Sequence, residues 1–466
     1  MADLYKSSLS ETDSLEDEYL YGGYGGRRRK AALTLIFLWL GTLILHLVSW
    51  GQTLVLALTA LMSVHAGRIL TRRPGAASAS LQRIHWDGEP ADGDFIYPYI
   101  SLLVSAKNEE AVIGALVKRL CSLDYPSDRY DLWVINDNSS DDTGAVLEGL
   151  VGQHPQLNVV HRGAEATGGK SGALNLVWPQ TKGDIIAVFD ADAQVSADLL
   201  RQVVPLFKRS RTGAVQVRKA IANAAANFWT RGQRAEMALD SFFQQQRIAI
   251  GGIGELRGNG QFVRRPALAA CGGWNEETIT DDLDLTLRLH ISGWNIDFLA
   301  FPAVREEGVT QAVALWHQRN RWAEGGYQRY LDYWRPIVRN RLGLEKTLDL
   351  VMFWMTQYML PIVAVPDLAI AIARHRTPVF APVTTLTVSL SVVGMYVGLR
   401  RVQKASPLVT AIQTLRGTLY MLHWLLVIAS TAARISVRPK RLKWIKTVHQ
   451  GAPNDSGEEE MTIDLG

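Results

Sequence analysis

The sequence predicts an α/β domain with a mostly parallel sheet, held between two groups of apolar helices long enough to cross a bilayer. Three observations carry this expectation. Through residues 98–335, short apolar runs rich in β-branched residues alternate with amphipathic stretches, the pattern of strands joined by crossover helices. Runs of spanning length flank that region on both sides. Acidic residues follow directly on two of the apolar runs, at the carboxyl ends where such sheets bind ligands.

Residues 1–30 begin with a polar, acidic and glycine-containing stretch, expected to be disordered. Residues 31–73 hold two apolar runs, 31–49 and 53–70, separated by a short turn; they predict a helical hairpin. Arg27, Arg28, Arg29 and Lys30 precede it, and Arg72 and Arg73 follow it. Basic residues at both ends predict that the hairpin starts and finishes on the cytoplasmic side and that the following domain faces the cytoplasm. Residues 74–97 read as a Pro-, Gly-, Ala- and Ser-containing linker. Residues 336–446 hold three further apolar runs, 348–372, 379–399 and 407–432, the first interrupted by Pro366 and Asp367. Five crossings would put the basic segment from Arg434 to Lys446 on the outer side, against the charge rule. One run is therefore expected to be re-entrant, split or miscounted. Residues 447–466 form an acidic tail.

In the domain, YISLLVSA, YDLWVIND, LNVVHR, DIIAVFDAD and GAVQV read as buried strands. EEAVIGALVKRLCSL and ADLLRQVVPLFKR read as helices between them. The formal net charge is only +4 over 466 residues, with 20% charged residues, and the basic ones cluster beside the apolar runs. This excludes a global nucleic-acid footprint. Cys121 and Cys271 are the only cysteines, too few for a disulfide framework or a thiolate zinc site.

Five local patterns carry chemistry. Asp137 ends YDLWVIND and is followed by NSSDDT. A carboxylate there can accept a hydrogen bond from a uracil N–H, although the Ser/Asp run is equally a helix N-cap signal. Lys170 stands in GGKSGALN, where glycines admit backbone to a phosphate and the lysine neutralises it; a solvated glycine loop is the alternative. Asp190 and Asp192 form DAD at a strand end, able to share a hard cation with phosphate oxygens. Asp281 and Asp282 open a helical stretch after Thr280. Thr280 is a candidate cap and Asp282 a candidate general base. Gln318, Arg321 and Trp322 in QRNRW project to one side of a helix. Arginine can hold phosphate there and tryptophan can stack on a sugar, or the segment around 311–335 lies as an amphipathic helix at headgroup level. RGNGQFVRRPAL at 257–268 shapes either an acceptor pocket or a structural hairpin.

Singly, each pattern barely competes with its structural alternative. In order, NDNSSDDT, GGKSGALN, DAD, TDD and QRNRW between two sets of spanning runs resemble the membrane-bound, processive-type family 2 glycosyltransferases, with their D, D, D, Q-x-x-R-W signature, over about residues 98–335. The resemblance implies a Rossmann-like GT-A domain in the cytosol, a nucleotide-diphosphate-sugar donor, inversion at the anomeric carbon, and Mg2+ or Mn2+. By the same resemblance Asp137 looks like the uracil contact and Lys170 like a donor-site contact. Asp190 looks like a ribose or metal-side contact, Asp192 like the metal ligand and Asp282 like the base. Gln318, Arg321 and Trp322 look like the diphosphate and acceptor-end motif. Asn136-Asp137 stands where many members have paired aspartates, and Thr280-Asp281-Asp282 where many have Thr-Glu-Asp. Both departures keep the second acid.

Within the family, length and layout look like the cyanobacterial-type β-monoglucosyldiacylglycerol synthases. That implies UDP-glucose as donor and 1,2-diacylglycerol, or another lipid, as acceptor at the bilayer surface. Two other readings stand beside it. A processive polysaccharide synthase would need a polar lane through the spans, for which the sequence offers only Asp367, Gln413 and His423. A transporter or scaffold with a degenerate transferase domain would have lost the acids that are present here.

Overall fold

The computed structural model describes residues 26–72, 74 and 97–437. The expected disordered start, most of the linker, the basic segment beyond Val437 and the acidic tail lie outside the described residues.

Two apolar helices come first, α1 (Arg27–Leu47) and α2 (Gly51–Thr71). The domain then runs β1 (Ile100–Ala106), α3 (Ile113–Leu120), β2 (Tyr130–Asp137), α4 (Thr143–Val151), β3 (Leu157–Arg162), α5 (Gly169–Val177), β4 (Ile185–Phe189), α6 (Leu199–Val203) and β5 (Thr212–Ile221). It continues with α7 (Phe228–Ala249), β6 (Gln261–Arg264), α8 (Arg265–Ala270), α9 (Asp281–Ile291), β7 (Asn295–Glu306) and α10 (Ala312–Asp332). After a short α11 (Trp334–Val338) come α12 (Leu344–Trp354), one π turn at Met355–Met359, α13 (Leu360–Ala373), α14 (Ala381–Val402), α15 (Pro407–Met421) and α16 (His423–Val437).

The seven strands form one sheet in the order β3-β2-β1-β4-β6-β5-β7. β1 pairs in parallel with β2 and β4, and β2 with β3, so their carboxyl ends share one edge. All five expected strands are present. β6, antiparallel to β4 and β5, and β7, parallel to β5, were not read from the sequence. β6 is only four residues long, and β7 runs through Pro302, so neither shows a clean alternation. The two sides of the sheet are covered by separate apolar clusters, one built on Leu102, Val104, Leu116 and Phe189 and one on Leu103, Ile135, Leu174 and Val188. Alternate residues of one strand thus feed opposite layers, as the pleat requires.

Five helical segments among the described residues are long and apolar enough to cross a membrane. They do not form a detached anchor. α7 packs across α14, where Gly394 and Gly398 let the two backbones touch: a methyl group on Gly398 would stand 2.2 Å from the carbonyl oxygen of Ala238. The hairpin α1–α2 is tied to the domain at both ends. Arg27 donates to Asp332 at 2.5–3.0 Å, and Gln246 Nε2 donates to the carbonyl of Ile69 at 2.6 Å.

The last apolar segment is not one straight helix. It bends at Leu422; α15 packs along α7, and α16 packs on α10 and α1. Arg401, just before it, donates to Gln245 of α7, and Arg434 near its end pairs with Glu324 of α10 at 2.9 Å. Both halves of the segment, α15 and α16, thus contact the domain's own helices. The interfacial helix expected near 311–335 also differs in detail. Val313 and Trp316 are exposed, but residues 323–332 of α10 are buried between domain and spanning helices.

Candidate active site

The strand ends position the first acids. Asp137 closes β2, and its Oδ1 accepts from Arg162 Nη1 at 2.7 Å. Arg162, the last residue of β3, also donates to the carbonyls of Gly169, at 2.9 Å, and Thr167. Asp137 is thereby linked to the glycine loop that carries Lys170. The capping role falls on Asp141, whose Oδ1 accepts from the Thr143 N–H at 3.1 Å.

Lys170 Nζ donates to Asp190 Oδ1 at 2.5 Å. Burial alone would push the lysine's pKa down, but Asp190 and Asp281 outweigh it and raise the pKa, so the ammonium stays charged. The DAD segment is held from two sides. Asp190 N–H donates to Asn259 Oδ1 at 3.2 Å, and Asp192 Oδ2 accepts from the Glu307 N–H at 2.9 Å. Segment 257–268 is not the hairpin weighed for it: a single strand is followed directly by helix α8. Gln261–Arg264 is strand β6, while Arg257 and Gly258 line the cavity described below.

Asp281 and Asp282 begin α9, where the helix N-terminus favours negative charge. Asp282 Oδ1 accepts from the Leu283 N–H at 2.8 Å. Burial pushes the Asp282 carboxyl up to about 6, with the Asp281 charge adding to it and Arg257 and Lys170 acting against it. Asp281 is raised as well, by burial and by Asp190. Thr280 occupies the N-cap position, but its side chain makes no capping bond. That corrects the expectation from sequence: the hydroxyl is turned against Gly325 of α10.

Gln318, Arg321 and Trp322 do share one side of α10 and face the cavity. Gln318 Oε1 accepts from Arg319 Nη1 at 2.8 Å. Arg319 itself is fully buried behind the motif. Its guanidinium lies 4.0 Å from the centre of the Trp322 ring and donates to Glu236 Oε2 at 2.5 Å. Glu236 also accepts from Tyr420 at 3.0 Å and Trp424 at 2.8 Å. Lys219, at the end of β5, pairs with Glu306 at 2.9 Å and stands 5.4 Å from the Trp322 ring centre.

All eight residues singled out from the sequence border one cavity of about 860 Å³: Asp137, Lys170, Asp190, Asp192, Asp282, Gln318, Arg321 and Trp322. The same cavity continues between the spanning helices, where Met62, Met352, Leu386, Met395, Leu425 and Ile428 line it. Arg247, Arg257 and Arg329 stand at the junction. All three are paired with the buried Glu255, and Arg247 also with Asp349. A cation that takes one or two carboxylates and completes its shell with phosphate and water fits Asp192 with Asp190 beside it. No closed cage of three or more His, Cys, Asp or Glu side chains exists among the described residues.

Sequence reasoning missed Lys219, Glu236 and Arg319. Lys219 did leave a signal, a lysine in the otherwise apolar strand TGAVQVRKAI. Glu236 and Arg319 left none, because their partners lie 83 residues apart in the chain.

Known proteins are similar to this chain in sequence and in fold. Residues 98–325 match the family described as Glycosyltransferase like family 2. The chain is 58% identical over 463 residues to the beta-monoglucosyldiacylglycerol synthase of Trichormus variabilis, covering 97% of this chain and 96% of that one. It is 54% identical over 458 residues to the beta-monoglucosyldiacylglycerol synthase of Synechocystis sp., covering 96% and 94%. Among solved structures, the mannosyltransferase PcManGT from Pyrobaculum calidifontis, in complex with GDP-Man and Mn2+, aligns with a TM-score of 0.53 at 19% identity, over 85% of this chain and 99% of that chain. That likeness bears on the fold.

Proposed function

The chain belongs to the family 2 glycosyltransferases, and from that premise we propose that it transfers glucose from UDP-glucose, with inversion, to the free hydroxyl of 1,2-diacylglycerol, yielding β-monoglucosyldiacylglycerol. The observation that carries the proposal is the continuity of one cavity from the strand-end acids to the apolar walls of the spanning helices. A water-soluble donor and a lipid acceptor can meet there without either leaving its own medium. The identity of 54–58% to synthases of that lipid supports the same acceptor.

In this reading Asp137 receives the uracil N–H, and Arg162 keeps the carboxylate oriented. Lys170 and Arg321 hold the diphosphate, and Trp322, backed by Arg319, forms the wall against which the sugar rests. Asp282 takes the proton of the acceptor hydroxyl as that oxygen attacks the anomeric carbon; the bond from that carbon to the UDP oxygen breaks on the opposite face. Bound at Asp192, with Asp190 alongside, Mg2+ or Mn2+ would neutralise charge on the leaving diphosphate. Burial makes the base effective, since a carboxylate of pKa about 6 is a stronger proton acceptor than an exposed one yet stays ionised near neutrality.

The same reading places the domain on the cytoplasmic face. Arg28 and Arg29 are exposed where α1 begins, and the bent last segment brings Arg434 back to the domain. The test is direct. Membranes containing the protein, given Mg2+, labelled UDP-glucose and diacylglycerol, are expected to form one chloroform-soluble monoglucosyl lipid. A water-insoluble polymer in its place would overturn the acceptor assignment.

A further inference from the structure

Many hydroxyls on the spanning helices bond back to their own backbone. Thr42, Thr59, Thr384, Thr414 and Thr418 each donate to the carbonyl four residues earlier, at 2.7–3.0 Å. That is the ordinary way to satisfy a hydroxyl where water is scarce. Thr387 on α14 does not bond this way, and unlike the equally unpaired Thr347 of α12 it lines the cavity. Its Oγ1 is buried and has no hydrogen-bond partner. The buried Oε1 of Gln357 is in the same state. Both residues line the cavity that Asp282 also lines, together with Ser391, one turn further along the face of α14 that carries Thr387.

Gln357 sits in the π turn Met355–Met359, the one such turn among the described residues. π turns recur at functional sites because they redirect side chains that an α-helix would aim elsewhere. The depth is also informative. The Phe353 ring lies 4.3 Å from the Arg247 guanidinium and 6.0 Å from that of Arg329, at the charged junction. Gln357 is four residues further along the same helix, so roughly 6 Å deeper. Beyond the arginine layer the cavity walls are otherwise mainly apolar, with Pro361, Leu386 and Leu390. A buried hydroxyl or amide left unpaired costs about 1–3 kcal/mol, so polar groups kept at such a place point to a polar group of the ligand.

We propose that Thr387, Gln357 and Ser391 form a subsite for the ester carbonyls of the acceptor. The proposal rests on the diacylglycerol reading and extends it. In a diacylglycerol the esters lie between the attacking hydroxyl and the acyl chains. They must be stripped of water while the tails occupy the apolar walls and the hydroxyl reaches Asp282. A carbonyl oxygen needs a donor there. The Thr387 and Ser391 hydroxyls can each supply one, and so can the NH2 group of Gln357, whereas its unpaired Oε1 is an acceptor and cannot. The subsite would recognise the linkage rather than the length of the chains, and would set the depth at which the glycerol hangs beneath the base.

The experiment compares two lipids with the same hydroxyl and the same chains, a 1,2-diacylglycerol and the matching 1,2-dialkylglycerol ether, which lacks both carbonyls. The full-length wild-type protein is expected to favour the diester about 5- to 10-fold in kcat/KM, the worth of one or two buried hydrogen bonds. Thr387→Val and Gln357→Leu should each reduce that ratio, and the double variant should bring it close to one. Thr387→Ser, which keeps the hydroxyl, should retain it. Thermal unfolding and UDP-glucose binding of each variant separate loss of the subsite from loss of the fold. A ratio near one in the wild type, or one unchanged by the double variant, overturns the subsite and leaves the acceptor reading standing. Failure of the wild type to glucosylate either lipid overturns the acceptor reading and the subsite with it.

Discussion

Gly325 of α10 lies directly against Thr280, the residue before the Asp281–Asp282 pair: a methyl group at Gly325 would stand 2.3 Å from the Thr280 hydroxyl oxygen. The next residue, Gly326, is equally close to Tyr358, with 2.0 Å to its hydroxyl oxygen. The glycine pair that follows QRNRWAE thus brings three pieces together: the helix of Gln318, Arg321 and Trp322, the start of the helix of Asp282, and the π turn below them. Gly325→Ala must push α9 and α10 apart. Overpacking of this kind costs about 1–3 kcal/mol. The variant is expected to unfold several degrees lower and to lose at least tenfold in kcat while still binding UDP-glucose, measured by thermal denaturation and isothermal titration.

The base can be tested by charge and by pH. Asp282→Asn removes the proton acceptor and keeps the shape. Turnover should fall by about 10²–10⁴-fold, with donor binding preserved; full activity would place the base elsewhere. In the wild type, Asp282 faces Asp281, Arg257 and Lys170, and its pKa of about 6 lies above the ordinary carboxylate value. The ionised form is the active one. Activity should therefore be full above pH 7 and fall about tenfold per unit as the pH drops below about 6. An acid limb near pH 4 would indicate an unburied base.

Metal dependence should reside in Asp192. Asp192→Ala is expected to abolish activity together with its response to added Mg2+ or Mn2+. Asp190→Ala should also free Lys170 from its 2.5 Å partner and weaken donor binding. Unchanged rates in Asp192→Ala would remove this residue from the metal site.

Arg319 should prove structural before it proves chemical. Arg319→Leu would leave Glu236 without its buried cationic partner, although Tyr420 and Trp424 still donate to it. Losing one member of a buried pair costs about 3–5 kcal/mol. The variant should be markedly less stable, and a second change, Glu236→Gln, should recover part of the loss. Equal stability of the single and double variants would show that the two side chains are not energetically coupled.

Much of the fold and nearly all of the candidate site could be read from residue order. The five strands read from the sequence, four of them forming the parallel run β3-β2-β1-β4, are local signals, short runs rich in apolar and β-branched residues. The eight site residues stood in short motifs that are ambiguous one by one and informative only in their order along the chain. Two strands, β6 and β7, were not legible. β6 is too short to show a period, and β7 contains a proline. Thr280 was misread as a cap because capping depends on where α10 lies, and nothing near position 280 reports that.

By itself, then, the residue order determined the elements whose causes are local: apolar period, strand-end acids, basic flanks and the motif helix. Tertiary structure alone decided how these meet. Arg319 found Glu236, Lys219 came to stand near Trp322, and the last apolar segment bent back against α7 and α10. Those outcomes depend on contacts between residues tens or hundreds of positions apart. Hydrophobic burial favours many such arrangements almost equally, and close packing together with the pairing of buried charge selects one of them.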